Sequence, residues 1–141
     1  MSFRLLPIRL IKTDSEIRIS LANWLHICSF SFCDKTGPST AEEGYKKATV
    51  FQNGKKVQAL GGGNCQISST LYNAVLDVSD LKVVERHEHG KKVSYVPDGK
   101  DAAVAYGSID FKFTNNTGSR IKLYFSTDDK EVSVKIVKLF S

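Results

Sequence analysis

Three glycines, Gly61-Gly62-Gly63, run through Asn64 and Cys65 into a segment whose apolar residues fall at helical spacing. Ile67, Leu71, Ala74, Val75 and Val78 recur every three or four positions, which predicts one helix from Cys65 to about Val78. Asn64 suits the N-cap, which puts Cys65 in the first turn. There the unpaired N–H groups and the positive end of the helix dipole stabilise a thiolate. The glycines let the backbone approach a ligand closely. The bland alternative is a buried structural cysteine after an ordinary glycine loop.

Beyond this helix the chain alternates with a period of two. Leu81 to His89 sets Leu81, Val83, Glu85, His87 and His89 on one face of a strand. Val93 to Val96 reads as a short strand before Pro97. Ser108 to Thr114 points Ile109, Phe111 and Phe113 inward and Asp110 outward. Ile121, Leu123 and Phe125, then Val132, Val134 and Ile136, form two more strands across the turn residues Asp128-Asp129. Ahead of the glycines, Val50-Phe51 and Val57 flank Asn53-Gly54, a hairpin turn dipeptide. Phe30 and Phe32 alternate with serines, and Ile17, Leu21 and Trp24-Leu25 share one possible helix face. One central helix packed on a mostly antiparallel sheet, an α+β fold, buries these faces.

At 141 residues the chain supports a core without disulfide staples. Its three cysteines (Cys28, Cys33 and Cys65) make neither a disulfide framework nor a zinc-type array, although Cys28 and Cys33 could pair. The net charge of +5 comes from scattered lysines, with no basic-aromatic stripe of the kind nucleic acid requires. Arg18, Asn23 and His26 interrupt the apolar stretch 17–33, so no membrane span is expected. Residues 1–13 make a poor signal peptide, so the sequence read literally is cytoplasmic.

Cys65 has candidate partners in His87 and His89. A cysteine at a helix N-terminus, a histidine on a following strand and an acid beyond it form the layout of thiol acyl-transfer enzymes. His87, nearer the strand centre, is the preferred base, with His89 at the cleft rim. Of the two candidate orienting acids, Asp101 and Asp110, Asp110 is preferred because it lies on a strand rather than in a turn. Gly61, Gly62, Gly63, Gln66 and His89 are the binding candidates, with Gln66 a possible oxyanion donor. Cys65 with both histidines could equally supply three zinc ligands, and the histidine pair could be a plain polar strand edge. The thiol site is the expectation, with no resident metal or cofactor.

These motifs resemble the VanW-like family, named after a protein of vancomycin-resistance clusters and found in cell-envelope proteins of Gram-positive bacteria. The resemblance runs through Gly37-Pro38-Ser39-Thr40-Ala41-Glu42-Glu43-Gly44-Tyr45 and Gly61 to Ala74. It continues in Glu85-Arg86-His87-Glu88-His89, Ser94-Tyr95-Val96-Pro97, Asp101-Ala102, Ala105-Tyr106-Gly107 and Asp110-Phe111-Lys112-Phe113. It assigns residues 30–141 to a VanW-like domain and leaves 1–29 as an atypical N-terminal segment, truncated or out of frame. It implies an envelope or extracellular setting, with peptidoglycan or its precursors as partner. A cysteine-dependent acyl transfer or hydrolysis of peptidoglycan peptides, in a transglutaminase- or papain-like layout, is the resulting expectation. A non-catalytic peptidoglycan-binding or scaffolding module is its rival.

Overall fold

The computed structural model describes residues 2–4, 28–42, 45, 47–52, 55–60, 63–127 and 131–139. Its elements run β1 (Ser2–Arg4), β2 (Cys28–Ser31), α1 (Phe32–Thr36), β3 (Lys47–Gln52), β4 (Lys55–Leu60), α2 (Asn64–Leu76), β5 (Leu81–Glu85), β6 (Lys112–Asn115), β7 (Arg120–Thr127) and β8 (Glu131–Leu139). The strands pair antiparallel in the orders β1-β8-β7, β2-β6-β5 and β3-β4. The fold is α+β, as the alternating pattern requires.

The helix α2 forms where its apolar period begins, and it buries the expected face. Ile67, Leu71, Ala74 and Val75 join Phe30, Phe32, Phe111, Phe113, Leu123, Phe125, Val132 and Val134 in one core cluster. Register explains the convergence. Phe30 sits opposite Phe113, their rings stacked at 4.9 Å, while Leu123 and Phe125 face Ile136 and Val134 across β7 and β8. The hairpin β3-β4 pairs Gln52 with Lys55, as a two-residue connection demands, although Asn53-Gly54 themselves lie outside the described residues. The possible helix at Ile17 to Leu25 also lies outside them.

Several local expectations change. Asn64 is the first residue of α2 rather than its cap. The cap position belongs to Gly63 at φ 96°, and the Asn64 amide donates instead to Ser39 Oγ at 3.2 Å. The left-handed φ is one that glycine adopts without a Cβ penalty. β5 stops at Glu85, four residues before His89: the ladder slips register between Val83 and Glu85, and Glu85 pairs with Lys112, the first residue of β6. No strand forms at Val93 to Val96, and β6 starts only at Lys112. The chain from 86 to 111 is therefore an irregular loop, tied down by Ala103 N–H to the His87 carbonyl at 2.8 Å and by an Ala105–Ile109 bridge.

The polar flank of α2 is also buried. Gln66, Ser68, Ser69, Thr70 and Asn73 are all covered, and much of that cover is the segment 100–102. Ser68 donates to the Ala102 carbonyl at 2.5 Å, Ser69 Oγ accepts the Ala102 N–H at 2.8 Å, and the Asn73 amide donates to the Lys100 carbonyl at 2.7 Å. Burying polar side chains costs free energy unless they are hydrogen-bonded, and here the bonds fix the loop that carries Asp101.

Candidate functional site

Cys65 lies in the first turn of α2, half-buried and with a free thiol. Its sulfur donates to the Val104 carbonyl at 3.5 Å. Its backbone N–H falls among the first-turn groups that have no carbonyl four residues back to bond. Ser69 donates to the Cys65 carbonyl at 2.6 Å, which holds the residue from below.

The ring brought to that thiol is His89. Its Nδ1 is 2.6 Å from Asp101 Oδ2, and its backbone N–H donates to the same oxygen at 2.8 Å. A carboxylate can only accept, so Nδ1 carries the proton and Nε2 keeps one lone pair, which the Tyr95 hydroxyl meets at 3.2 Å. Burial alone would lower the His89 pKa, but hydrogen bonding and charge from Cys65 and Asp101 outweigh it and raise it above the ordinary histidine value. Burial likewise works to raise the Asp101 pKa. The His89 N–H and ring reverse that and hold it below the usual aspartate value.

Asp101 is itself built in. Arg86 donates through Nε to the Asp101 carbonyl at 2.7 Å, through Nη2 to Gly99 O at 3.0 Å and to Asp101 Oδ1 at 3.3 Å, and lies 5.0 Å over the Tyr72 ring. So the Arg86 fork and the serines and asparagine of α2 grip the acid loop from two sides. Sequence reasoning singles out neither Arg86 nor Ser69, Asn73 and Tyr95. Their signal is present nonetheless: Arg86 lies in the same short motif as both histidines, and Ser69 and Asn73 are four apart on one helix flank.

His87 and Asp110 go elsewhere. His87 Nε2 is 2.9 Å from Glu85 Oε1, and Lys112 Nζ is 3.1 Å from Glu85 Oε2. Asp110 is buried rather than outward-facing. Its Oδ1 accepts the Cys33 and Phe111 N–H groups at 2.9 and 2.7 Å, and its Oδ2 accepts the Ser31 hydroxyl. Both oxygens of Asp110 are thus spent on joining α1 to the start of β6, and neither is turned on a histidine. The physical reason is that β5 ends at Glu85, short of both histidines. Once β5 ends, the two-residue spacing of His87 and His89 no longer places them on one face.

Of the binding candidates, Gly63 caps the helix, Gln66 is 1% exposed and points into the protein, and Gly61 and Gly62 lie outside the described residues. Among the described residues no cluster of three or more histidines, cysteines and acids could hold a metal ion, so the three-ligand zinc alternative finds no support. Cys33 is a free buried thiol rather than half of a pair with Cys28. No helix among the described residues is long and apolar enough to cross a membrane. A cleft of about 300 Å³ borders Asp101 between Glu88, Lys91, Lys92 and Pro97. A larger groove of about 800 Å³ lies along Ala74, Val78 and β7-β8. It begins roughly 13 Å up the helix axis from Cys65, at 1.5 Å per residue.

Comparison with known proteins places this site in a family context. Residues 27–137 match the model of the VanW-like proteins. An uncharacterized protein of Bacillus subtilis (strain 168), YoaR, is 46% identical over 87 residues, covering 62% of this chain and 28% of that protein. The vancomycin B-type resistance protein VanW of Enterococcus faecalis (strain ATCC 700802 / V583) is 29% identical over 109 residues, covering 74% of this chain and 39% of that protein. The chain thus spans less than two-fifths of the length of these relatives. No solved structure matches it significantly.

Proposed function

This chain belongs to the VanW-like family, and from that premise and the site geometry we propose that it is a cysteine-dependent acyl-transferase or hydrolase of peptide amides. The observation that carries the reading is the His89–Asp101 pair, Nδ1 2.6 Å from Oδ2, with Cys65 at the N-terminus of α2 helping to raise the His89 pKa. His89 Nε2 takes the thiol proton, and Asp101 holds the tautomer and stabilises the imidazolium. The thiolate attacks an amide carbonyl, forming a C–S bond as the C=O π pair moves to oxygen. The intermediate collapses, the C–N bond breaks, and the amine leaves with the proton from Nε2. Water, or a second amine, then attacks the thioester with His89 again as base, releasing acid or new amide and restoring the thiol.

The substrate class rests on the resemblance. The Enterococcus relative is named for vancomycin resistance, and the family motifs imply an envelope setting, so peptidoglycan stem peptides are the proposed acyl donors. The test is incubation of wild type and Cys65→Ala with purified muropeptides, read by mass spectrometry. A Cys65-dependent product and an acyl adduct on Cys65 support the reading. Muropeptide binding by both proteins with no product and no adduct overturns it in favour of a wall-binding module.

A further inference from the structure

We propose that Tyr95 is the side-chain oxyanion donor of this site, a role that rests on the thiol acyl-transfer reading above. An acyl transfer through Cys65 needs a donor for the oxygen that becomes negative when the sulfur attacks. Gln66, the residue next to the thiol that could supply a side-chain N–H, is 1% exposed, so its amide does not face a substrate. The Tyr95 hydroxyl does lie at the site. It is 3.2 Å from His89 Nε2, with the two rings edge-on at 79° and 6.2 Å between centroids.

Burial, with charge at Cys65 and Asp101, raises the Tyr95 pKa well above the ordinary tyrosine value, against a smaller opposing effect of a Ser69 hydrogen bond. The hydroxyl therefore keeps its proton throughout the working range.

The timing comes from the nitrogen that the two groups share. In the resting site Nδ1–H is committed to Asp101, so Nε2 has a lone pair and Tyr95 donates to it. When Cys65 gives its proton to Nε2, that nitrogen becomes a donor and can no longer accept. The Tyr95 O–H is thus released when the thiolate forms, and it is free to donate when the carbonyl oxygen then gains its charge. When the intermediate collapses and the leaving amine takes the proton from Nε2, the lone pair returns and the Tyr95–His89 bond re-forms.

Two reagents separate this role from a structural one. Iodoacetamide alkylates a thiolate at a saturated carbon and forms no oxyanion, whereas p-nitrophenyl acetate acylates it through one. Both are measured on Cys65 by intact mass, with Cys65→Ala as background. Tyr95→Phe is expected to slow acylation about 100-fold, the scale of one lost oxyanion donor, while alkylation holds or rises because a competitor for Nε2 is gone. Equal loss in both reactions makes Tyr95 a mere support of the Cys65–His89 pair and overturns the proposal, as does no loss in either. If Tyr95→Phe loses the native circular dichroism, 3-fluorotyrosine at position 95 replaces it. Its more acidic hydroxyl must raise the ratio of acylation to alkylation, and an unchanged ratio overturns the proposal. Wild type that forms no acyl adduct on Cys65 sinks the thiol reading and this inference together. Wild type that acylates while the Tyr95→Phe ratio stays constant sinks this inference alone.

Discussion

Asp101 Oδ2 accepts two hydrogen bonds from a single residue, the backbone N–H of His89 at 2.8 Å and its ring Nδ1 at 2.6 Å. The first fixes where the ring leaves the chain, and the second fixes which ring nitrogen carries the proton. One carboxylate oxygen thus sets both position and tautomer, and Arg86 holds the carboxylate in turn. Ordering a long irregular loop costs conformational entropy, and such dense bonding is what offsets it.

If His89 is the partner of Cys65, its removal must be felt at the thiol and that of His87 must not. We expect His89→Ala to slow iodoacetamide modification of Cys65 at neutral pH several-fold, and His87→Ala, which breaks only the Glu85 contact, to leave the rate near wild type. The check is alkylation rate against pH for both variants. A larger effect of His87→Ala would move the base to that residue.

Cys33 supplies the internal control. Burial, reinforced by the hydrogen bond and charge of Asp110, pushes its pKa up to about 12, so little thiolate forms there at pH 8. In the native protein, iodoacetamide with peptide mapping should mark Cys65 well before Cys33. In urea the difference should disappear. Native labelling of Cys33 at the rate of Cys65 would contradict the burial that the fold gives it.

The Asp101–His89 pair should also leave a signature in stability. His89 is raised, so its contribution is complete below the unfolded value of about 6.5 and is lost as pH climbs through the folded one. Asp101 is lowered, so its contribution is complete above about 4 and is lost as pH falls through its folded value. Both operate fully only between about pH 4 and 6.5. Urea melts of wild type and Asp101→Asn should therefore differ most in that window and converge on either side. A difference that is flat with pH would mean that the two groups do not titrate as a pair.

The core is legible in the sequence because its signal is periodic. Leu71 and Val75 on one helix face, and Phe113, Leu123 and Val134 on alternating strands, end where spacing puts them. The helix-borne cysteine is legible as well, because a glycine run followed by an apolar period marks a helix start. The choice between the two histidines and between the two acids is not. It hangs on where β5 ends, at Glu85, which no alternation rule encodes, and on a loop whose order comes from side chain–backbone bonds by Arg86, Ser69 and Asn73. Alternation favours Asp110 as a strand residue over Asp101 as a turn residue. Burial reverses that logic, since Asp110 spends its carboxylate on backbone N–H groups while the turn leaves Asp101 Oδ2 open to a ring.

The two flanks of α2 allow a last separation, between what holds the fold and what holds the site. Leu71 is fully buried in the apolar cluster, so Leu71→Ala should cost about 2–5 kcal/mol of stability through the cavity it leaves. The protein that remains folded should still alkylate at Cys65 at nearly the wild-type rate. Ser69→Ala removes little volume but strips the Ala102 N–H of its acceptor and the Cys65 carbonyl of a donor. Leaving a buried N–H unsatisfied costs about 1–3 kcal/mol, and it frees the residue next to Asp101. Ser69→Ala should therefore lose less stability than Leu71→Ala and yet slow p-nitrophenyl acetate acylation of Cys65 more. Urea melts alongside acylation rates test this, and the reverse ranking would mean that the Asp101 loop is held by something other than the helix beneath it.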